Sequence, residues 1–100
     1  MSLGEVLRTL RKNKGVSIKV MAPEVCIDHT YISKIENGYV IPSTEVVERL
    51  AVYFNYDKDE LLILSDHIPD DIKEILRTRP REALDFLREH FSKELKDRSS

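Results

Sequence analysis

Several things are scarce in this chain, and each scarcity removes a class of protein. Cys26 is the single cysteine of 100 residues, so no internal disulfide can form. No second Cys stands near a His at zinc-ligand spacing, so no structural metal site and no cofactor are expected. The first residues lack the charged segment followed by an apolar stretch that marks a secretory leader, and no apolar run approaches the ~20 residues of a membrane span. A soluble, cytoplasmic protein with no membrane partner is the expectation. The three His, one Cys and scattered carboxylates show no nucleophile–base spacing, no glycine-rich phosphate loop and no H-E-x-x-H pair. Catalysis is therefore not expected, and Glu24 and Asp28 read as surface and cap residues. Alternating strand patterns, internal repeats and low-complexity segments are also missing.

Charge is short of one sign only locally. The net charge of -2 opposes binding to a polyanion, but its distribution matters more than its sum. From Met1 to Gly38, Arg8, Arg11, Lys12, Lys14, Lys19 and Lys34 face only Glu5, Glu24, Asp28 and Glu36. From Tyr39 to Ile68, Glu45, Glu48, Asp57, Asp59, Glu60 and Asp66 face only Arg49 and Lys58. A mildly basic N-terminal face is compatible with this pattern.

What is present is helical periodicity. Leu3, Val6, Leu7 and Leu10 recur at the spacing of an amphipathic helix that should stop near Gly15, with Ser2 and Glu5 forming a capping box at its start. Ser17 can cap a second helix with Val20, Met21 and Val25 on its apolar face, and Cys26 and Ile27 lead into a tight turn. Asp28 suits the N-cap of a third helix running towards Asn37, with Ile32 and Ile35 inward and Gly38 fit for a left-handed C-terminal cap. Pro42 and Ser43 open a fourth helix carrying Val46, Val47, Leu50, Ala51 and Phe54, and Asp57 with Glu60 caps a fifth carrying Leu61, Leu62 and Leu64.

Past His67, Pro69 starts a short helix with Ile72, Ile75 and Leu76, and Pro80 begins another. That last helix aligns Ala83, Leu84, Leu87, Phe91 and Leu95 on one stripe, which must be buried either on the first five helices or in a dimer. The tail from Lys96 to Ser100 is expected to fray.

The segment from Ser17 to Gly38, SIKVMAPEVCIDHTYISKIENG, places the small Ala22 where two short helices cross. The turn from Cys26 to Asp28 sets their angle, so that the third helix protrudes in a form that fits a major groove. This segment resembles the helix-turn-helix family of phage repressor, Cro and XRE-like regulators, with its run S-x-x-x-L-A-x-x-x-G-[VI] followed by S-x-I-E-x-G. The likeness covers roughly Leu3 to Leu64, and YISKIENG, Tyr31 to Gly38, is its most specific piece.

The periodicity makes the fold all-α; the resemblance implies a five-helix lambda-repressor-like domain over residues 1–66, and the pattern past His67 adds a two-helix extension over 67–100. The resemblance carries site residues with it. It implies base contacts from His29, Thr30, Tyr31 and Lys34, with Ser33 as a weaker candidate. Lys34 could donate to guanine, Thr30 could meet thymine, and His29 could donate or accept. Phosphate contacts would come from Ser17, Lys19, Asn37 and Tyr39, and Arg11 with Glu36 would form a partly buried ion pair. The implied activity is regulation of transcription as a repressor on double-stranded DNA, and the amphipathic last helix adds the expectation of a homodimer joined through it. The competing use of the same fold is as an antitoxin or other module that grips a protein partner. Three departures stand out: Ile18 replaces a common Gln, Cys26 replaces the usual Gly of the turn, and Pro23 lies inside the second helix, where a kink or widening is expected.

Overall fold

The computed structural model describes the backbone of residues 1–99 and residues 1–92 in full. Among the described residues it contains seven α-helices and no strand. They are α1 (Leu3–Lys14), α2 (Ile18–Val25), α3 (His29–Glu36), α4 (Thr44–Phe54), α5 (Lys58–Leu64), α6 (Asp70–Thr78) and α7 (Pro80–Ser99). The chain divides into two compact units, Met1–Ile68 and Pro69–Ser100. The all-α class and the five-plus-two helix count agree with the sequence expectation. None of the helices described is long and apolar enough to cross a membrane.

Every helix of the first unit is opened by a short polar side chain that accepts a backbone N–H otherwise left without a partner. Ser2 accepts from Glu5 at 3.2 Å, Ser17 from Val20 at 3.2 Å and Asp28 from Thr30 at 2.9 Å. Ser43 accepts from Val46 at 3.3 Å and Asp57 from Glu60 at 2.9 Å. Replacing such a cap by Ala typically costs about 1 kcal/mol, so these five positions set where the helices begin.

The same five helices also end alike. Gly15, Cys26, Gly38, Asn55 and Asp66 all have left-handed backbone angles, with φ between 51° and 78°. In each case the left-handed residue and its successor donate to two carbonyls of the last helical turn. Cys26 N donates to the Pro23 carbonyl at 3.3 Å and Ile27 N to that of Ala22 at 3.1 Å. Gly38 and Tyr39 repeat the pattern on Ile35 and Lys34, and Asp66 and His67 on Ile63 and Leu62. Each helix is thereby reversed sharply enough to fold back on its neighbours. His67 is held further by its Nε2, which donates to the Pro42 carbonyl at 2.8 Å.

Between these ends, one core collects Leu3 and Leu7 of α1, Met21, Ala22 and Val25 of α2, Ile32 and Ile35 of α3, Val47, Leu50 and Ala51 of α4, and Leu61 and Leu62 of α5. α3 packs on both α1 and α2, and α4 packs on α1, α2 and α5. Helix α2 runs through Pro23 as a single element. The ring removes the donor for the Lys19 carbonyl, but the helix ends only two residues later, so one bond is lost near an end. Val20, expected on the apolar face of α2, is instead 51% exposed, because the face that meets the core is the one carrying Met21, Ala22 and Val25, with Ile18 packed at its edge.

In the second unit, Pro69 precedes α6 without a side-chain cap, and Pro80 is the first residue of α7, as its fixed φ and missing N–H favour. The two helices pack on each other. α6 buries none of its residues, and Leu84, Leu87 and Phe91 of the expected stripe remain exposed, as does Phe86 beside it. Leu95 and the tail from Lys96 to Ser100 lie outside the fully described residues.

Cys26 tests the helix endings. A side chain in the left-handed region costs about 1–2 kcal/mol relative to Gly, and the greater unfolded-state freedom of Gly returns about 0.4–1 kcal/mol of that. Cys26→Gly should therefore stabilise the protein by a net ~0.5–1 kcal/mol, read as a higher denaturation midpoint in urea with an unchanged slope. A lower midpoint would show that the thiol, which is exposed and 3.8 Å from the Pro23 carbonyl, contributes more than the backbone strain costs.

Candidate nucleic-acid interface

Eight residues form α3, and its two faces differ sharply. Ile32 and Ile35, 2% and 1% exposed, lock one face into the core, while His29, Thr30 and Lys34 lie exposed on the other. Thr30 and Lys34 are one turn apart and so project side by side. Tyr31 and Ser33 are half-buried, and the Tyr31 ring is partly committed to packing against the core. The His29 Nδ1 lies 3.4 Å from the Asp28 carboxylate. The five base-contact candidates therefore separate into three fully presented side chains and two on the margin of the core.

The phosphate-contact candidates have different positions. Lys19 is exposed on the first turn of α2, and the Ser17 hydroxyl is occupied as that helix's cap. Tyr39 is 78% exposed in the loop after α3. Asn37 is exposed, but its amide is engaged, with Nδ2 donating to the Ser33 carbonyl at 2.8 Å and Oδ1 accepting from Arg8 Nη2 at 3.0 Å. Ile18, at the position where Gln is common, packs half-buried against the core instead of reaching outward.

The end of α3 is tied to α1 by charge. Glu36, whose side chain is 2% exposed, receives Arg11 Nε at 2.8 Å and Nη2 at 3.1 Å in a two-pronged pair. Arg11 Nη1 donates to the Val16 carbonyl at 3.1 Å. The carboxylate raises the Arg11 pKa above its ordinary value, through this hydrogen bonding first and with burial opposing it. A buried carboxylate left without its partner costs several kcal/mol, so the pair is required once Glu36 is inside.

Two participants were not singled out in the sequence. Arg8 lies one helical turn before Arg11 and also reaches Glu36, at 3.4 Å through Nε; the i, i+3 spacing of the two arginines was the available signal. Gly4 is the other. A Cβ added there would collide with the Glu36 carbonyl oxygen and fall 2.8 Å from its carbon and 3.0 Å from the Ile35 carbonyl oxygen. The glycine lets the start of α1 lie directly on the backbone at the end of α3. Its partner is remote in sequence, which left nothing local to mark it.

A helix with one face locked and the other exposed, preceded by a short helix with the small Ala22 buried in the core and a left-handed turn at Cys26, makes a helix-turn-helix. A family model described as helix-turn-helix matches residues 7–61, all within the first unit. The chain belongs to the XRE-like helix-turn-helix family of DNA-binding transcriptional regulators. It is 37% identical over 59 residues to the ImmF control region 10 kDa protein of Bacillus phage phi105, across 59% of this chain and 66% of that one. It is 33% identical over 60 residues to the HTH-type transcriptional regulator SlrR of Bacillus subtilis (strain 168), across 59% of this chain and 40% of that one. The chain thus spans less than two thirds of the length of either relative. No solved structure matches. In this helix-turn-helix chain the match does not reach the second unit, whose role has to be read from its own residues.

Gly4→Ala tests the close approach of α1 to α3. Alanine gains up to about 1 kcal/mol of helix propensity, but overpacking against backbone that cannot rotate away costs about 1–3 kcal/mol. The expected outcome is a net loss of ~1–2 kcal/mol in urea unfolding. A gain would mean that the two helices can separate without penalty.

Proposed function

We propose that this protein binds double-stranded DNA in sequence-specific fashion as a homodimer and represses transcription in the cytoplasm by occupying a short inverted-repeat operator. The carrying observation is α3: a helix fixed on one side by Ile32 and Ile35 and at its end by Glu36, with His29, Thr30 and Lys34 presented together on the other side. Such a helix can enter a major groove without the fold having to rearrange, and Tyr31 and Ser33 would read at its margins. Ser17, Lys19, Asn37 and Tyr39 lie at the ends of α2 and α3, where phosphate contacts hold register rather than specify sequence. The names of the two relatives, a phage control-region protein and a transcriptional regulator, support the same reading.

Dimerisation is assigned to the second unit. Ile72, Ile75, Leu76, Ala83, Phe86 and Leu87 line an apolar groove of about 400 Å³ between α6 and α7. A two-helix unit that buries none of α6 has too little core to stand alone, and pairing two such units gives a four-helix bundle. A twofold dimer would set two recognition helices about 34 Å apart, one turn of B-DNA. The same apolar groove also supports the second reading, an antitoxin-like module in which a different protein occupies it.

Selection from a random duplex pool, followed by titration over a salt series, tests the DNA reading. Enriched inverted repeats are expected, with log affinity falling linearly in log salt. Lys34→Ala should weaken the selected site by about 1–3 kcal/mol while leaving the fold intact. Failure to retain any duplex at low salt would reject DNA binding and leave the protein-binding reading. In sedimentation of the full chain, Phe86→Glu should convert a dimer to a monomer, and a dimer indifferent to that change would move the interface elsewhere.

A further inference from the structure

We infer that Arg8 is a phosphate-binding residue of this interface, held ready by Glu36 and Asn37 at the edge where α1 meets the end of α3. The inference rests on the DNA-binding reading above and adds a contact that neither the motif nor the relatives assign.

Two guanidinium groups converge on one carboxylate. Arg11 satisfies Glu36 with both prongs, gives its remaining nitrogen to the Val16 carbonyl and is only 15% exposed, so its donors are consumed by the fold. Arg8 differs on each count. Its contact to Glu36 is the longer one, 3.4 Å, its side chain is 42% exposed, and its Nη1 makes no hydrogen bond among the described residues. The cluster of Arg8, Arg11 and Glu36 therefore carries one positive charge more than the carboxylate cancels, and that excess sits on the exposed member.

The geometry of Arg8 suits a phosphate. Its Nε and Nη2 are turned to Glu36 and Asn37, which fixes the plane of the guanidinium and removes much of the rotamer freedom that an arginine would otherwise lose on binding. The Nη1 side is left for an acceptor, and arginine's planar fork matches phosphate oxygens in a two-point contact. The neighbouring residue Asn37 passes the constraint on to the Ser33 carbonyl, within α3 itself. A phosphate on Arg8 would thus be tied through two side chains to the helix that reads the bases. The positive charge of Arg8 also offsets the C-terminal pole of α3, which by itself would repel the phosphate.

The test uses the full-length protein and a random-sequence duplex, with Lys34→Ala as the reference for a base-reading position. Each phosphate contact contributes about 0.9 to the slope of log affinity against log salt. Arg8→Gln should lower the magnitude of that slope by about 0.9 with little change in urea midpoint, because Arg11 still neutralises Glu36. Arg8→Lys should keep the slope, since it keeps the charge, and bind more weakly, since it loses the fork. A slope unchanged in Arg8→Gln, while wild type binds duplex normally, overturns the inference and leaves Arg8 a structural residue; so does a loss of slope shared equally by Arg8→Lys. Absence of duplex binding by the wild type overturns the DNA reading and this contact with it, and is distinguished by that control.

Discussion

The fold of the first unit depends on a carboxylate placed where water cannot reach it. Glu36 closes α3, and its side chain is almost fully buried. An ionised carboxylate in that position must be matched by a cation with the right geometry, and the Arg11 fork supplies it from a different helix. The angle between α1 and α3 is therefore set by a directional pair as well as by packing, which is less specific. Gly4 completes the constraint from the backbone side, because only a residue without Cβ allows α1 to rest on the carbonyls of Ile35 and Glu36. Rigidity at this end suits the proposed role of α3, since every degree of freedom left in a helix that binds a partner is lost on binding.

Five helices of 7 to 12 residues enclosing one core must reverse direction often, and the chain solves each reversal the same way. A left-handed residue at each end turns the backbone while keeping the last carbonyls hydrogen-bonded. Gly15 and Gly38 do this without steric cost. Asn55 and Asp66 are among the side chains that tolerate the region, and Cys26 is not. The strained reversal is thus the one inside the helix-turn-helix, between the two helices whose crossing presents α3. Strain there is supported by Val25 and Ile27 on either side, both buried, which hold the turn in place.

Legibility in the sequence followed the range of the interactions. Helix starts depend on a residue and its neighbours two or three positions on, and Ser2, Ser17, Asp28, Ser43 and Asp57 could be recognised from local spacing alone. Helix ends were legible at Gly15 and Gly38, where the residue type advertises the angle, and at Cys26 only through the glycine expected in its place. Asn55 and Asp66 carry no comparable signal. The face of α3 could be read from the period of Ile32 and Ile35, but how far Tyr31 and Asn37 are engaged by the fold could not. Their engagement depends on the core and on Arg8, 29 positions before Asn37. Gly4 was invisible for the same reason, and Val20 was misjudged because periodicity gives the apolar side of a short helix without saying how much of it a neighbour covers.

Charge shows how such local and long-range terms combine. The chain is acidic overall, yet part of its acid is already engaged by the fold. Asp28 and Asp57 hold helix N-termini, Glu36 is buried against Arg11, and Glu45 pairs with Arg49 at 2.8 Å. The basic side chains of the first three helices are less committed. Lys19 and Lys34 make no ion pair among the described residues, and Lys14 lies 4.7 Å over the Tyr53 ring, a contact that does not neutralise its charge. Charges farther away than a Debye length of about 8–10 Å are largely screened, so the field at α2 and α3 is set by the groups near them. A net charge of -2 is consequently a weak guide to what the exposed face of α3 attracts, because screening makes the field local and the fold decides which charges remain available.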